Sequence, residues 1–177
     1  MSSLEGGSSL VVRLTLLAFW LGAATLFSAI VAPALFDVLP TRTLAGLVVG
    51  RVLPVIFYMG IVLAIVDLVV ELRGANHVSR LATGAVMLLT CGVAQFFVAP
   101  QIERVRAAIV GPIEQLSPTD PRRIEFGRLH AVSVGLLGVA MIAALVAAIS
   151  LARTMIAARD ARPSPVTSNS LLSTDHA

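Results

Sequence analysis

The sequence contains no lysine, one cysteine, one tryptophan, one tyrosine and three histidines in 177 residues. Each scarcity closes off a chemistry. A lone Cys91 makes no intrachain disulfide and no paired-thiol redox or metal motif. His77 falls between apolar runs and His176 in a polar tail, so His130 has no second histidine at a comparable depth for bis-histidine haem ligation. Met59, Met87 and Met141 are soft donors without ligand spacing. A glycine-rich phosphate loop and an ordered Ser-His-Asp set are both missing. These absences argue against an enzyme, a resident cofactor and a metal site. Charge is scarce too, at 13% of residues, where soluble domains carry about 25%. The 13 basic residues are all arginine and give a net charge of +3. They are scattered over short polar segments, with no basic stripe and no interleaved aromatics, which excludes a nucleic-acid surface.

What is abundant is apolar length. Hydrophobic residues make up 57% of the chain, and the mean hydropathy is +0.92. No soluble core absorbs that excess, so the composition is that of an integral membrane protein. Four runs, at about 10–36, 51–72, 79–100 and 129–156, each reach the length a bilayer crossing requires. Leu14 to Val31 alone would rise about 27 Å as a helix. The first run is too long for a signal-peptide core and lacks a basic cluster before it, so it is expected to be a retained span. The membrane domain is therefore placed at 10–158. Residues 1–9 and the Pro/Ser/Thr-rich segment 159–177 are expected to be disordered.

The tripeptide Val-Ala-Pro occurs at 31–33 and again at 98–100. An offset of 67 brings Arg13 onto Arg80 and Pro33 onto Pro100 without a gap. An offset of 77 brings Gly50-Arg51 onto Gly127-Arg128. These matches suggest a duplicated helical hairpin. Two such hairpins, related by an axis along the membrane normal, predict an all-α four-helix bundle with both termini on one side. Pro33 and Pro100 are expected to end or kink spans one and three, or to free a carbonyl one turn back, at Ala29 and Phe96. Between spans three and four, Ile102, Val105, Ile109, Ile113 and Leu116 recur at helical spacing. That stripe predicts an amphipathic helix on the interface or folded back over the bundle, broken near Pro112. Arginines count six on the terminal side and seven on the other, which leaves orientation open with a slight lean to cytoplasmic termini in an inner or plasma membrane.

Polar residues within or beside the spans are few. Asp37, Arg51, Gln95, Arg128, His130 and Ser133 all fall near one boundary. His130 and Ser133, three apart, share a helix face. Two readings are open: a polar pocket with a binding role, or interfacial residues and snorkelling arginines. An alternative makes His130 a ligand in a redox, haem or metal protein, completed through an oligomer. Asp67 and Glu71 lie four apart near the end of span two. Pairing with Arg80 is the favoured reading, and a proton-carrying carboxylate the other. Trp20 and Phe19 read as packing or interfacial residues, and Gly22 as a place where helices could approach closely. Expected partners are the lipid bilayer, and a second copy or another membrane protein.

The stretches FWLG (19–22), VAPALF (31–36), GRVLPVIFYMG (50–60) and EFGRLHAVS (125–133) resemble the transmembrane-protein-205-like family, also known as domain of unknown function 4149. The likeness covers about residues 10–150. It implies a small four-span membrane protein whose biochemical activity is not established. Ala131 and Leu137 stand where the family pattern carries glycine and asparagine.

Overall fold

The computed structural model describes residues 2–74 and 77–161, so most of the expected tail lies outside the described residues. Six α-helices follow in order: α1 (Ser2–Leu26), α2 (Ala32–Val38), α3 (Arg42–Arg73), α4 (Val78–Val93), α5 (Ala99–Ala107) and α6 (Pro121–Asp160). No strand occurs among the described residues. π-helical turns at Phe27–Val31 and Ala94–Val98 join α1 to α2 and α4 to α5 without a break. The result is four rods, Ser8–Val38, Arg42–Arg73, Val78–Ala107 and Pro121–Asp160, each long and apolar enough to cross a membrane.

The rods exceed the apolar runs because their ends are capped outside them. Thr41 caps α3, its hydroxyl accepting from the Leu44 amide at 3.2 Å. Asp120 caps α6, accepting from the Arg122 amide at 2.8 Å, with Pro121 in the first turn. The Arg122 side chain also donates to Asp120, and these bonds hold its carboxyl down to about 2. At the other extreme, α1 begins at Ser2. A helix nucleated by the long span extends backwards at little cost, one bond per residue.

Neither Pro33 nor Pro100 ends its rod. Each stands in the first turn after a π-helical turn. There the Ala32 amide donates to the Phe27 carbonyl and the Ala99 amide to the Ala94 carbonyl, five residues back in each case. A proline has no amide to give and crowds the carbonyl four residues back. One wider turn absorbs that mismatch, and α-helical bonding resumes beyond it. The amphipathic helix expected over the stripe from Ile102 to Leu116 is correspondingly shorter. It is α5, continuous with span three, and it stops at Ala107, ahead of Gly111 and Pro112. Gly111 takes φ +88°, a backbone that L side chains rarely adopt, and turns the chain back.

The bundle closes as a ring in which α4 packs on α3 and α6, and α1 on α6 and α3. Its interior is narrow. Ala24, Ala45, Ala64, Ala94, Ala140 and Ala144 are all buried between helices, around Trp20, Phe57, Met87, Cys91 and Leu151. Small residues at the seams let helices approach closely where lipid supplies no hydrophobic drive. Trp20 fills the centre and donates its indole N–H to the Ile56 carbonyl at 2.9 Å. The close approach occurs at Gly60, where an added Cβ would lie 2.8 Å from Cys91 Sγ and 3.1 Å from the Trp20 ring. Gly22, where the sequence suggested it, faces open space. Phe19, Leu89, Phe97 and Ile142 are all over 60% exposed on the outside. An apolar exterior around a small-residue interior suits a lipid environment.

Four buried charges tie one end of the ring together. Arg13 donates its Nε–H to Asp67 at 2.7 Å. Its Nη2 lies 2.9 Å from Glu71 as a charge contact without hydrogen-bond alignment. Arg80 donates to the same Glu71 oxygen at 3.0 Å, to Thr154 at 2.7 Å and to Ser150 at 3.3 Å. The contact of Glu71 with Arg80 is the pairing favoured from sequence; Arg13, 54 residues from Asp67, is an addition. The cluster carries no net charge and draws on α1, α3, α4 and α6. It places the start of α1 and α4 and the end of α3 and α6 together.

Candidate functional site

At the opposite end, the bundle opens into a cavity of about 670 Å³. Its walls are the first half of α3, the π-helical turn and α5 of the third rod, and the first turns of α6. Leu47, Val49, Leu53, Pro54 and Phe57 make the α3 wall. Ile102, Ile109 and Ile113, from the expected stripe, line it as well. These three of the five stripe residues therefore face the bundle. A clamp holds the returning loop: Thr43 donates its hydroxyl to Glu114 at 2.8 Å and accepts from the Ile113 amide at 3.1 Å. The hydroxyl bond from Thr43 holds the Glu114 carboxyl below its ordinary range.

Gln95, His130 and Ser133 all line this cavity. Gln95 sits in the π-helical turn, where the extra residue per turn re-aims the side chains that follow. Its Oε1 is buried with no hydrogen-bond partner among the described residues. A buried amide oxygen left unpaired costs about 1–3 kcal/mol, so this acceptor is poised for a donor from outside the chain. Ser133 is 3% exposed and lies one turn deeper along α6 than His130. The His130 ring runs parallel to Phe126, with centroids 6.5 Å apart.

The other expected pocket residues are elsewhere. Asp37 and Arg51 are exposed and do not line the cavity. Arg128 is exposed and bonded to Glu125 at 2.9 Å. Sequence proximity to the boundary did not specify which side of a helix each residue occupies. In their place stands Arg106, which lies off the apolar stripe of that segment. It bonds Glu103 at 2.9 Å and the Gly46 carbonyl at 3.3 Å, and its guanidinium lies 5.8 Å from the Phe126 ring centre. Gly50 makes room for it, since a Cβ there would lie 3.2 Å from Arg106 Nη1. The conspicuous Gly50 was the one signal for this contact. Pro54 has no amide to offer the Gly50 carbonyl, which roughens the same wall. Gly127 and Pro100 also line the cavity, whereas Pro33 is exposed on the first rod. Of the charged residues lining the cavity, Arg42, Arg106 and Arg123 stand against Glu103 and Glu114, an excess of one positive charge at its outer end, where α3 and α6 begin and α5 ends. Among the described residues no three His, Cys, Asp or Glu side chains converge as metal ligands.

Four apolar rods, a small-residue interior and a largely apolar cavity with a few polar groups at one end fit a polytopic membrane protein. The chain belongs to the family described as a domain of unknown function, DUF4149, whose model matches residues 15–110. That range holds both π-helical turns and Gln95, and stops before His130 and Ser133. Over 96 residues the chain is 39% identical to an uncharacterized protein of Aquifex aeolicus (strain VF5), a stretch covering 54% of this chain and 70% of that protein. No solved structure matches it.

Proposed function

We propose that this membrane protein is a non-enzymatic binder or carrier that holds a small solute in the cavity, through Gln95, His130 and Ser133. The observation that carries the reading is the buried, unpartnered Gln95 Oε1 in a cavity of about 670 Å³, large enough for a drug-sized molecule. The imidazole and the Ser133 hydroxyl supply a donor and an acceptor to the same cavity. The likeness to the transmembrane-protein-205-like family fits the same reading and adds no substrate. Both termini share one side, with the cavity open to the other, and cytoplasmic termini are the favoured orientation. The duplicated hairpin belongs to the same proposal. It is supported by the two π-helical turns, Phe27–Val31 and Ala94–Val98, and by buried Arg13 and Arg80, all at the offset of 67.

The test is a thermal-shift screen of the purified chain against a small-molecule panel. A ligand at a hundred times its Kd stabilises the folded state by about 2.7 kcal/mol. Hits are expected on the native chain and lost in Gln95→Leu and His130→Ala, both folded. Hits that stabilise the variants equally would leave the cavity without a binding role.

A further inference from the structure

A second, smaller cavity of about 190 Å³ adjoins the first. It is a fissure between the first rod and α6, and the two share Phe36, Val49, Leu53 and His130 as a common wall. Of the residues lining the fissure, only Ser28 and His130 are polar. Its Ser28, Phe36 and Val134 are exposed on the apolar outside of the bundle. Along α6 it runs from His130 to Met141, away from the arginine-bearing mouth and towards the middle of the span.

These two spaces differ in chemistry in the way the two ends of a lipid do. The larger one has a mouth with three arginines against two glutamates, an orphan hydrogen-bond acceptor in Gln95 and a hydroxyl in Ser133. The smaller is a narrow aliphatic slot open to the side. Resting on the solute-binding reading above, the geometry points to an amphiphile with an anionic, hydroxyl-bearing headgroup as the occupant. Its anionic group lies at the mouth among Arg42, Arg106 and Arg123, where charge-assisted bonds are strongest. A headgroup hydroxyl donates to Gln95 Oε1. An acyl chain leaves past His130 into the slot and on to the bilayer. A wholly water-soluble anion would leave the slot unused; a neutral lipid would leave the mouth with unbalanced charge.

The position that separates these cases is Gly138. It lines the slot and not the larger cavity, and an added Cβ there meets nothing within 4 Å. Gly138→Leu therefore plugs the slot without crowding the fold. The full chain is purified and its bound lipid quantified by native mass spectrometry after exposure to vesicles of phosphatidylglycerol or of phosphatidylcholine with the same chains. Glycerol 3-phosphate, the same headgroup chemistry without a chain, is titrated in parallel. Phosphatidylglycerol is expected to be retained roughly tenfold over phosphatidylcholine, with Gly138→Leu and Gln95→Leu each lowering that retention roughly tenfold. Retention that ignores charge or ignores Gly138→Leu overturns the lipid assignment. If glycerol 3-phosphate then still binds in a Gln95-dependent way, solute binding stands without it. If neither probe binds in a Gln95-dependent way, both readings fail.

Discussion

Glu71→Ala is expected to cost the folded bundle about 3–5 kcal/mol, the price of stranding a buried charge. Glu71 is 3% exposed and one of its oxygens serves both Arg13, at 2.9 Å, and Arg80, at 3.0 Å. Removing it leaves two buried guanidinium groups against the single carboxylate of Asp67. Arg80 keeps its bonds to Ser150 and Thr154, but hydroxyls do not balance charge. Asp67→Asn should cost less, because Glu71 still neutralises one guanidinium. The sharpest control removes both members of one pair. Glu71→Leu with Arg80→Leu leaves Arg13 and Asp67 matched, and replacing a buried ion pair by apolar residues is often neutral or stabilising. Thermal unfolding in detergent, read across the double-mutant cycle, should give a strong favourable coupling between Glu71 and Arg80. A double variant as unstable as the sum of the singles contradicts a charge-balanced cluster.

Gly60→Leu is expected to destabilise by about 3 kcal/mol through overpacking. Even the first added carbon would stand 2.8 Å from Cys91 Sγ and 3.1 Å from the Trp20 ring. The ring has no room to retreat, being 1% exposed and tied by its N–H to Ile56 at 2.9 Å. Gly22→Leu, facing open space on the first rod, should leave unfolding unchanged. Cys91→Ala added to Gly60→Leu should restore part of the loss, because the sulfur is the nearest obstacle. Helix propensity favours leucine over glycine at both positions, so equal losses at Gly22 and Gly60 would contradict the Cys91 and Trp20 contacts as the source of the effect.

The four spans could be read from the sequence because crossing a bilayer demands about 20 apolar residues whatever the fold. Their ends could not. Whether a proline stops a helix depends on whether the preceding turn can widen, and the Val-Ala-Pro stretches carry no mark of it. The bond between Glu71 and Arg80 follows from their separation of only nine residues along the chain. The contribution of Arg13 depends on how α1 is rotated in the ring, which four nearly uniform apolar helices do not encode. The same rotation separates Gln95, His130 and Ser133, which meet at one cavity, from Arg51 and Arg128, which point outward from neighbouring positions. Arg106 was hidden because a charged residue off an apolar stripe ordinarily faces water. Here the loop folds back, and Gly50 provides the space that receives it.

The most direct test of a solvent-open binding cavity at the Val-Ala-Pro end uses thiol labelling from each side of the membrane. Cys91→Ala gives a cysteine-free chain, into which Ser133→Cys or Thr90→Cys is introduced singly. Both native residues are buried, at 3% and 8% exposure, but only Ser133 lines the cavity. A small impermeant thiol reagent should modify Ser133→Cys from the side of the 108–120 loop only, and should leave Thr90→Cys untouched from either side. Ser133→Cys that stays unmodified, or that reacts from the side of the termini, would contradict the cavity as the site of binding.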